Sequence, residues 1–447
     1  MLKDARGLSV STSSAFALEQ YESALDQFQR YSGDPIATID AALAADDEFI
    51  VGHLFRACAL YTASERRYLP DARAAVERAE MLAARATDHE RGLTDAVRQL
   101  VDGHWHAAAR GLDAVLRDFP RDVLAIQTGH LMDFYRGDAL NLRNRISRVL
   151  PAWSPALPGY SYLLGMHAFG LEECNQYPEA EATARRALAI EPRDGWAVHA
   201  VTHVMEMQGR IDEGVDWLGS READWAAPDN LFAPHNWWHL ALFYIDRGEH
   251  AAALDLFDRK LAGPQADMIL VLIDCTALLW RLLLEGVEVG DRFVAVAQRW
   301  EDKLDIEQGF YAFNDVHAMM SFAATGRRPA IERLLADMRR TALQAGGSNQ
   351  EMTREIGLPL AEGMLAFAEG RYAQAIEHIE PVRDVANRFG GSHAQRDVLT
   401  LTLIEAATRS GDRSRARHLL AERLVHKPTA WSARLATRAG LTTAGFG

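Results

Sequence analysis

The feature that most constrains the fold of this chain is a turn that recurs every 34 to 44 residues along nearly its whole length. Each turn lies between two segments of helical character. Glycine is its usual residue, because glycine takes the left-handed conformation that ends a helix without a steric penalty. A period of this length is typical of stacked helical hairpins. The turns fall at Gly33, Arg66–Arg67, Gly103, Gly137, Asn175–Gln176, Gly209, Gly248, Glu285–Gly286, Gly326, Gly370 and Gly411.

The segments between these turns have helical periodicity. Residues 71–85 and 177–190 place small and apolar side chains at i, i+3, i+4 and i+7, and residues 370–381 form the cleanest single repeat. No segment shows the sustained alternation of a strand, so more than about 65% helix and no sheet are expected. We therefore predict an all-α fold of tetratricopeptide-like helical hairpins, about eleven in number, in a right-handed superhelix, that is, an α-solenoid.

Several longer segments resemble the tetratricopeptide repeat protein 38 family. They are MHAFGLEE at 166–173, VHAVTHVMEM at 198–207, HNWWHLALFYIDRG at 235–248, FNDVH at 313–317, GLPL at 357–360 and GSHAQRDV at 391–398. The resemblance implies an all-helical repeat array and brings no established activity. The resemblance covers about the C-terminal two thirds of the chain. Because the turns recur along nearly the whole chain, we predict one helical-repeat array over 1–447. Residues 1–150 would be hairpins with weaker resemblance, residues 151–433 the family core and residues 434–447 a frayed tail.

Charge and cysteine content set expectations about partners and location. The chain carries 48 Lys and Arg against 62 Asp and Glu, a net charge of −14, which disfavours a nucleic acid or an anionic membrane as partner. Three cysteines without a CxxC pair are typical of a reducing compartment. The longest apolar run, residues 268–280, is interrupted by Asp274 and is too short for a membrane span. We expect a soluble cytoplasmic protein without nucleic acid or membrane partners; the oligomeric state stays open.

Polar residues concentrate on the first helices of the central hairpins, which line the concave face of such arrays. The pairs His199/His203 and His235/His239 are each four residues apart, so each pair shares one helix face. Glu206 follows His203 by three residues. The predicted ligand-binding cluster of the concave face comprises His167, Glu172, His199, His203, Glu206, His235, Trp238, His239, Asn314, Asp315, His317 and Arg396.

Two histidines at this spacing can share a metal ion, and Glu206 one turn on could be a third ligand. The alternative is that each histidine is a hydrogen-bonded packing residue, as single histidines on repeat helices usually are. The HExxH form of zinc peptidases is absent, and so are phosphate-binding and nucleophile-elbow motifs. No metal ligand and no catalytic residue is therefore assigned, and the cofactor is left unknown.

Two functions fit this pattern. The favoured hypothesis is a binding scaffold whose concave surface takes a protein, a peptide or a small molecule. The alternative is an enzyme or small-molecule binder with a His/Glu/Asp/Arg cluster in a central lumen, possibly metal-dependent. Polar residues that differ from repeat to repeat and converge on the central hairpins favour the alternative over a uniform peptide groove. Fold class by itself does not decide between them.

Overall fold

The computed structural model describes residues 1–441, and 77% of the chain is helical. Single 3₁₀ turns lie at Arg66–Tyr68, Ala83–Arg85, Leu150–Ala152, Pro264–Asp267 and Ala386–Phe389. The helices up to residue 225 are α1 (Ala15–Arg30), α2 (Pro35–Ala45), α3 (Ile50–Thr62), α4 (Leu69–Met81), α5 (Asp88–Val101), α6 (Trp105–Asp118), α7 (Val123–Tyr135), α8 (Ala139–Val149), α9 (Tyr160–Glu173), α10 (Tyr177–Ile190), α11 (Gly195–Met207), α12 (Ile211–Ser220) and α13 (Glu222–Trp225).

The remaining helices run from residue 233 to residue 438. These helices are α14 (Ala233–Arg247), α15 (His250–Leu256), α16 (Ile269–Leu284), α17 (Arg292–Glu307), α18 (Ala312–Thr325), α19 (Arg328–Leu343), α20 (Ser348–Met352), α21 (Leu358–Ala368), α22 (Tyr372–Arg383), α23 (His393–Ser410), α24 (Arg413–His426) and α25 (Ala430–Arg438). Two π-helical turns accompany them, at Phe257–Leu261 after α15 and at Thr353–Gly357 between α20 and α21.

Consecutive helices pair into hairpins, which confirms the predicted all-α class of helical repeats. Within residues 1–441, eleven pairs of consecutive helices are joined by a short turn, the number that the turn spacing indicated. Small residues allow the two helices of a pair to approach closely. At Gly111 on α6, for example, an added methyl group would lie 2.9 Å from the Cβ atom of Ala96 on α5.

The predicted turns have the expected backbone conformation. Gly103, Gly209, Gly248 and Gly370 have φ values of +83°, +69°, +79° and +75°. Asn175, the non-glycine residue proposed for one gap in the series, has φ of +61°. The turn expected at residues 66–67 has its left-handed residue two positions earlier, at Ser64.

A small sheet at the N-terminus departs from the sequence prediction of no strands. Strands β1 (Leu2–Lys3) and β2 (Ser9–Val10) pair antiparallel, with Leu2 opposite Val10. The carboxylate of Asp4 accepts hydrogen bonds from the backbone N–H groups of Arg6 and Leu8 and so holds the connecting turn. Two-residue strands are too short to show a period of two, which is why the pattern did not reveal them.

The chain forms two compact units. The first comprises Met1–Val201, Ala223–Phe232 and Gly346–Ser348. The second comprises Thr202–Glu222, Ala233–Ala345 and the described residues from Asn349 onward. Of the tail predicted to fray, residues 434–438 belong to α25, whereas residues 442–447 lie outside the described residues. No helix among residues 1–441 combines the length and the apolar character needed to cross a membrane.

Helix α25 closes the second unit by packing against α14. The backbone N–H of Trp431 donates to the carboxylate of Asp246 at 3.2 Å, and its indole N–H donates to Glu285 at 2.6 Å. The carbonyl oxygen of Pro428 lies 2.9 Å from where a side chain would begin at Gly209. Helix α25 and the turn before it are therefore fastened to the first hairpins of this unit.

The turn conformation predicts that alanine substitution changes stability differently at two glycines that both face open space. An alanine methyl group at Gly370 or at Gly219 would meet no atom within 4 Å. Gly370 has φ of +75°, so Gly370→Ala should lower the free energy of unfolding by about 1 kcal/mol. Gly219 lies within α12 without a positive φ, so Gly219→Ala should leave stability unchanged or raise it. Equal urea-denaturation midpoints would contradict this assignment.

Candidate ligand site

Three histidines come together in the second unit, on α11 and α14. His203 is on α11, and His235 and His239 lie one turn apart on α14. Each offers a ring nitrogen, and these atoms lie within 4.8 Å of one another. The ring centroids of His203 and His239 are 4.6 Å apart, and those of His235 and His239 are 4.9 Å apart. We call these three residues the imidazole cluster.

The His239 ring is fixed by a buried carboxylate. Its Nδ1 lies 2.8 Å from Oε2 of Glu206, and the ammonium group of Lys427 donates to the other carboxylate oxygen. Burial raises the pKa of Glu206, but Lys427 and His239 together outweigh burial and hold this pKa well below its usual value. Burial lowers the pKa of His239 well below its usual range, and the neighbouring imidazole of His203 lowers it further. The pair therefore consists of an ionised carboxylate and a neutral imidazole.

The His235 ring is held in the same manner by a second acid. Its Nδ1 lies 2.8 Å from Oδ2 of Asp274 on α16, a carboxylate with only 3% of its side chain exposed. The indole of Trp238 stacks on this imidazole at 5.3 Å, with 13° between the planes. The guanidinium of Arg281 lies 5.2 Å from the Trp238 ring. The His235 side chain is 17% exposed, whereas His203 and His239 are completely buried.

Further ion pairs surround the imidazole cluster. Asp397 on α23 accepts hydrogen bonds from the guanidinium of Arg423 and, at 3.4 Å, from Lys427. Burial raises the pKa of Asp397, but Arg423 and Lys427 lower it below its usual value. Arg281 donates to the carbonyl oxygen of Ala394 at 2.7 Å, and burial lowers its pKa to about 10. Acidic and basic groups therefore compensate each other around the three rings.

The residues predicted on α18 have local partners. Asp315 accepts from the backbone N–H of Gly309 at 3.1 Å. The Nδ1 of His317 lies 2.8 Å from the carbonyl oxygen of Phe313, one turn earlier, which matches the packing interpretation of a single histidine. Asn314 is buried on the same helix. None of these residues on α18 is part of the imidazole cluster.

Of the other predicted residues, Arg396 belongs to the second unit and donates to the carbonyl oxygen of Gly391. His167 and Glu172 lie on α9 in the first unit. The Nε2 of His167 is 3.0 Å from the hydroxyl of Ser147, and Glu172 is fully buried. The predicted set is thus divided between the two units, and its convergent part is the imidazole cluster with Glu206 and Trp238.

His199 precedes His203 by one helical turn, but this part of α11 belongs to the first unit. Its ring lies among aromatic side chains of that unit, with centroids 5.4 Å from Trp196, 5.2 Å from Phe169 and 5.1 Å from Phe232. Edge and tilted contacts of this kind are typical of aromatic packing.

Sequence reasoning missed two residues that hold the imidazoles. Asp274 carried a signal, since it is a charged residue inside the longest apolar run of the chain. A buried acid at such a position needs a partner, and His235 is that partner. Lys427 carried no comparable signal, because it follows Glu206 by 221 residues and is one charge among many on its hairpin.

No family model matches the chain. It is similar to a human IFIT1 dimer with m7Gppp-AAAA, with a TM-score of 0.44 and 13% sequence identity over 97% of this chain and 96% of that chain. A human IFIT1 dimer with PPP-AAAA matches with a TM-score of 0.43 and 13% identity over 96% of both chains. A monomeric IFIT1 mutant with Gppp-AAAA gives a TM-score of 0.42 and 12% identity over 94% of this chain and 99% of that chain. These values are too low to transfer a ligand or a residue role.

The folding pattern places the chain in the class of tetratricopeptide-like helical-repeat proteins. The resemblance to the tetratricopeptide repeat protein 38 family stays a prediction. One expectation was wrong. The negative net charge was taken to exclude nucleic acid as a partner, yet these similar helical structures are complexes with m7Gppp-AAAA, Gppp-AAAA and PPP-AAAA. Net charge is a sum over the whole chain and does not describe the local potential of one site.

The buried ion pair predicts a pH-dependent effect of removing Lys427. Lys427→Met leaves the carboxylate of Glu206 buried without its cation, which should cost about 3 kcal/mol at pH 7. Because the pKa of Glu206 is depressed in the folded wild type, its stabilisation is present above its unfolded pKa and lost on acidification. The loss caused by Lys427→Met should therefore shrink towards pH 4. Urea denaturation of the wild type and of Lys427→Met at pH 7 and at pH 4 measures this loss in the free energy of unfolding.

The double variant Lys427→Met/Glu206→Gln is the matched control, since a neutral amide needs no cation. It should recover much of the stability lost at pH 7, because the amide still offers an oxygen to the His239 ring. A double variant as unstable as Lys427→Met alone would show that Lys427 acts through its other partner, Asp397.

The raised pKa of Asp194, in the first unit, predicts a pH dependence of stability opposite to that of Glu206. Its carboxylate accepts from the backbone N–H of Ala197 at 3.0 Å at the start of α11, yet burial raises its pKa to about 7. The folded state thus retains a proton that the unfolded state has lost, so this residue should lower stability as pH rises from about 4 to about 7. Asp194→Asn keeps a helix-capping side chain. It should raise the free energy of unfolding by at least about 1 kcal/mol at pH 8.5 and change it little at pH 4.5. Parallel pH profiles for variant and wild type would contradict this.

Proposed function

We propose that this chain is a helical-repeat binding scaffold whose ligand is held at the imidazole cluster of the second unit. The observation that carries the proposal is the convergence of His203, His235 and His239, with two of the rings oriented by Glu206 and Asp274. Packing alone does not require three imidazoles in contact. Each imidazole disfavours the protonated form of its neighbours, a cost that apolar side chains at these positions would not have. Side chains held by carboxylates behind them are characteristic of sites built for binding.

The burial of the cluster supports a small ligand over a peptide or protein partner. His203 and His239 are completely buried, and His235 alone of the three has part of its side chain, 17%, at the surface. A peptide lying on the outside would contact His235 without reaching the other two. A small molecule or an ion entering beside His235 would contact all three rings.

The charge balance supports a ligand recognised by the imidazole nitrogen atoms. Glu206 and Asp397 are both paired with Lys427, and Asp397 is also paired with Arg423. An anionic ligand would have to compete with these carboxylates for the cations. An imidazole ring can recognise a ligand through a nitrogen lone pair or through a ring N–H.

We also propose a reducing, cytoplasmic location, which the state of the cysteines supports. Cys58 and Cys275 are buried, Cys174 is half-buried, and all three are free thiols. A chain with unpaired cysteines suits a compartment that keeps thiols reduced.

Access to the cluster can be tested with diethyl pyrocarbonate, which acylates accessible neutral imidazoles. Peptide mass spectrometry of the full chain should show modification at His235 and, as the fast reference, at His418, whose side chain is 78% exposed. His89 is the slow reference, because it is 3% exposed and is also bonded to a carboxylate, here through Nε2 to Asp122. We expect His235 to react well ahead of His89. If His235 is as unreactive as His89, no small ligand reaches the cluster and the proposed binding function is wrong.

A further inference from the structure

The ligand chemistry of the imidazole cluster follows from which atoms the surrounding groups hold. In His235 and His239 the nitrogen bonded to a carboxylate is Nδ1, at 2.8 Å in both cases. A carboxylate oxygen accepts a hydrogen bond, so we assign the proton of each ring to Nδ1, which donates to Asp274 or Glu206. The Nε2 atom is then the nitrogen with the lone pair.

This carboxylate–imidazole arrangement is the one that orients histidines around metal ions in proteins. The carboxylate selects the tautomer, fixes the ring plane and makes the opposite nitrogen a stronger donor to a metal. Two of the three cluster histidines have it, each with a carboxylate that is itself almost fully buried, Glu206 with 2% and Asp274 with 3% of the side chain exposed. A histidine that only packs needs one hydrogen bond to any acceptor, as His317 makes to a backbone carbonyl.

Resting on the binding function proposed above, we propose that His203, His235 and His239 bind one divalent transition-metal ion, with Zn²⁺ the favoured ion. Three imidazoles suit Zn²⁺ and its neighbours Co²⁺, Ni²⁺ and Cu²⁺, whereas Mg²⁺ and Ca²⁺ require oxygen ligands. Three histidines leave the fourth position of a tetrahedral ion to water or to a ligand from solution.

The geometry requires a modest contraction on binding. Nitrogen ligands of a tetrahedral zinc ion lie about 3.3 Å apart, given Zn–N bonds of about 2.0–2.1 Å. One ring nitrogen from each residue of the cluster lies within 4.8 Å of the others. Ring rotations and shifts of about an ångström would close the site.

The placement of the charges around the site suits a cation better than an anion. Glu206, Asp274 and Asp397 stand against Lys427, Arg423 and Arg281, so the site is balanced before the ion arrives. The carboxylates nearest the imidazoles, Glu206 and Asp274, contact them directly. A divalent ion at the three rings would therefore have two anionic groups immediately behind its ligands.

The test uses the full chain, stripped of metal with a chelator, dialysed, and titrated with Co²⁺ and then with Zn²⁺. We expect one Co²⁺ per chain with the strong visible absorption of a tetrahedral site, and its displacement by one Zn²⁺. His203→Gln and His239→Gln should each weaken binding by more than about 100-fold. Asp274→Asn should weaken it by about 10–100-fold and keep one ion per chain, as loss of an orienting partner does.

The matched control is His89→Gln, which also removes a buried imidazole bonded to a carboxylate, here Asp122, but leaves the cluster intact. It should bind Co²⁺ as the wild type does. If His203→Gln does not fold, as judged by circular dichroism, the partly exposed His235→Gln replaces it.

Absence of Co²⁺ binding at micromolar concentration would overturn the metal proposal, and so would equal affinity in the wild type and all cluster variants. The acylation experiment separates this failure from that of the binding function. If His235 is reactive and no metal binds, the cluster takes a small ligand other than a metal ion. If His235 is unreactive and no metal binds, both proposals are wrong.

Discussion

The second unit depends on keeping one buried carboxylate ionised. Glu206 is 2% exposed and contacts both a neutral imidazole and an ammonium group. Without Lys427, desolvation would favour a protonated acid, which could no longer accept the Nδ1–H of His239 in the same way. The orientation of the His239 ring, and with it the position of its second nitrogen in the cluster, therefore follows from a charge on another hairpin. The arrangement of the imidazole cluster is here a consequence of the ion pairing around it.

This dependence separates the second unit from a simple linear array. In an ideal repeat protein each hairpin contacts only its neighbours, and stability is a sum of local contributions. Here Lys427 reaches Glu206, and Trp431 reaches Asp246 and Glu285. These contacts couple α25 and the turn before it to the hairpins that carry the imidazoles. We expect the hairpins of this unit to unfold together, because losing this segment leaves a buried charge in the first of them without its partner.

The sequence predicted local features well and distant ones poorly. Turn glycines such as Gly248 were predictable because each is required by the conformation of its own few residues. His235 and His239 were paired correctly because helical spacing places them on one face. The partnership of Glu206 with Lys427 was not predictable, because no periodicity relates residues on different hairpins. Asp274 lies between these cases, since a charge within an apolar helix indicates a buried partner without identifying it.

The separation of Glu206 from Lys427 along the chain sets the order in which the site can be completed during synthesis. The three imidazoles and Glu206 are translated well before this cation, which follows Glu206 by 221 residues. At about 5–20 residues per second, that interval lasts on the order of 10 to 40 seconds. Hairpins of a repeat protein can begin to fold as they emerge from the ribosome. The carboxylate must meanwhile stay hydrated, so the helices around it can form early, whereas Glu206 can be buried with its cation only late.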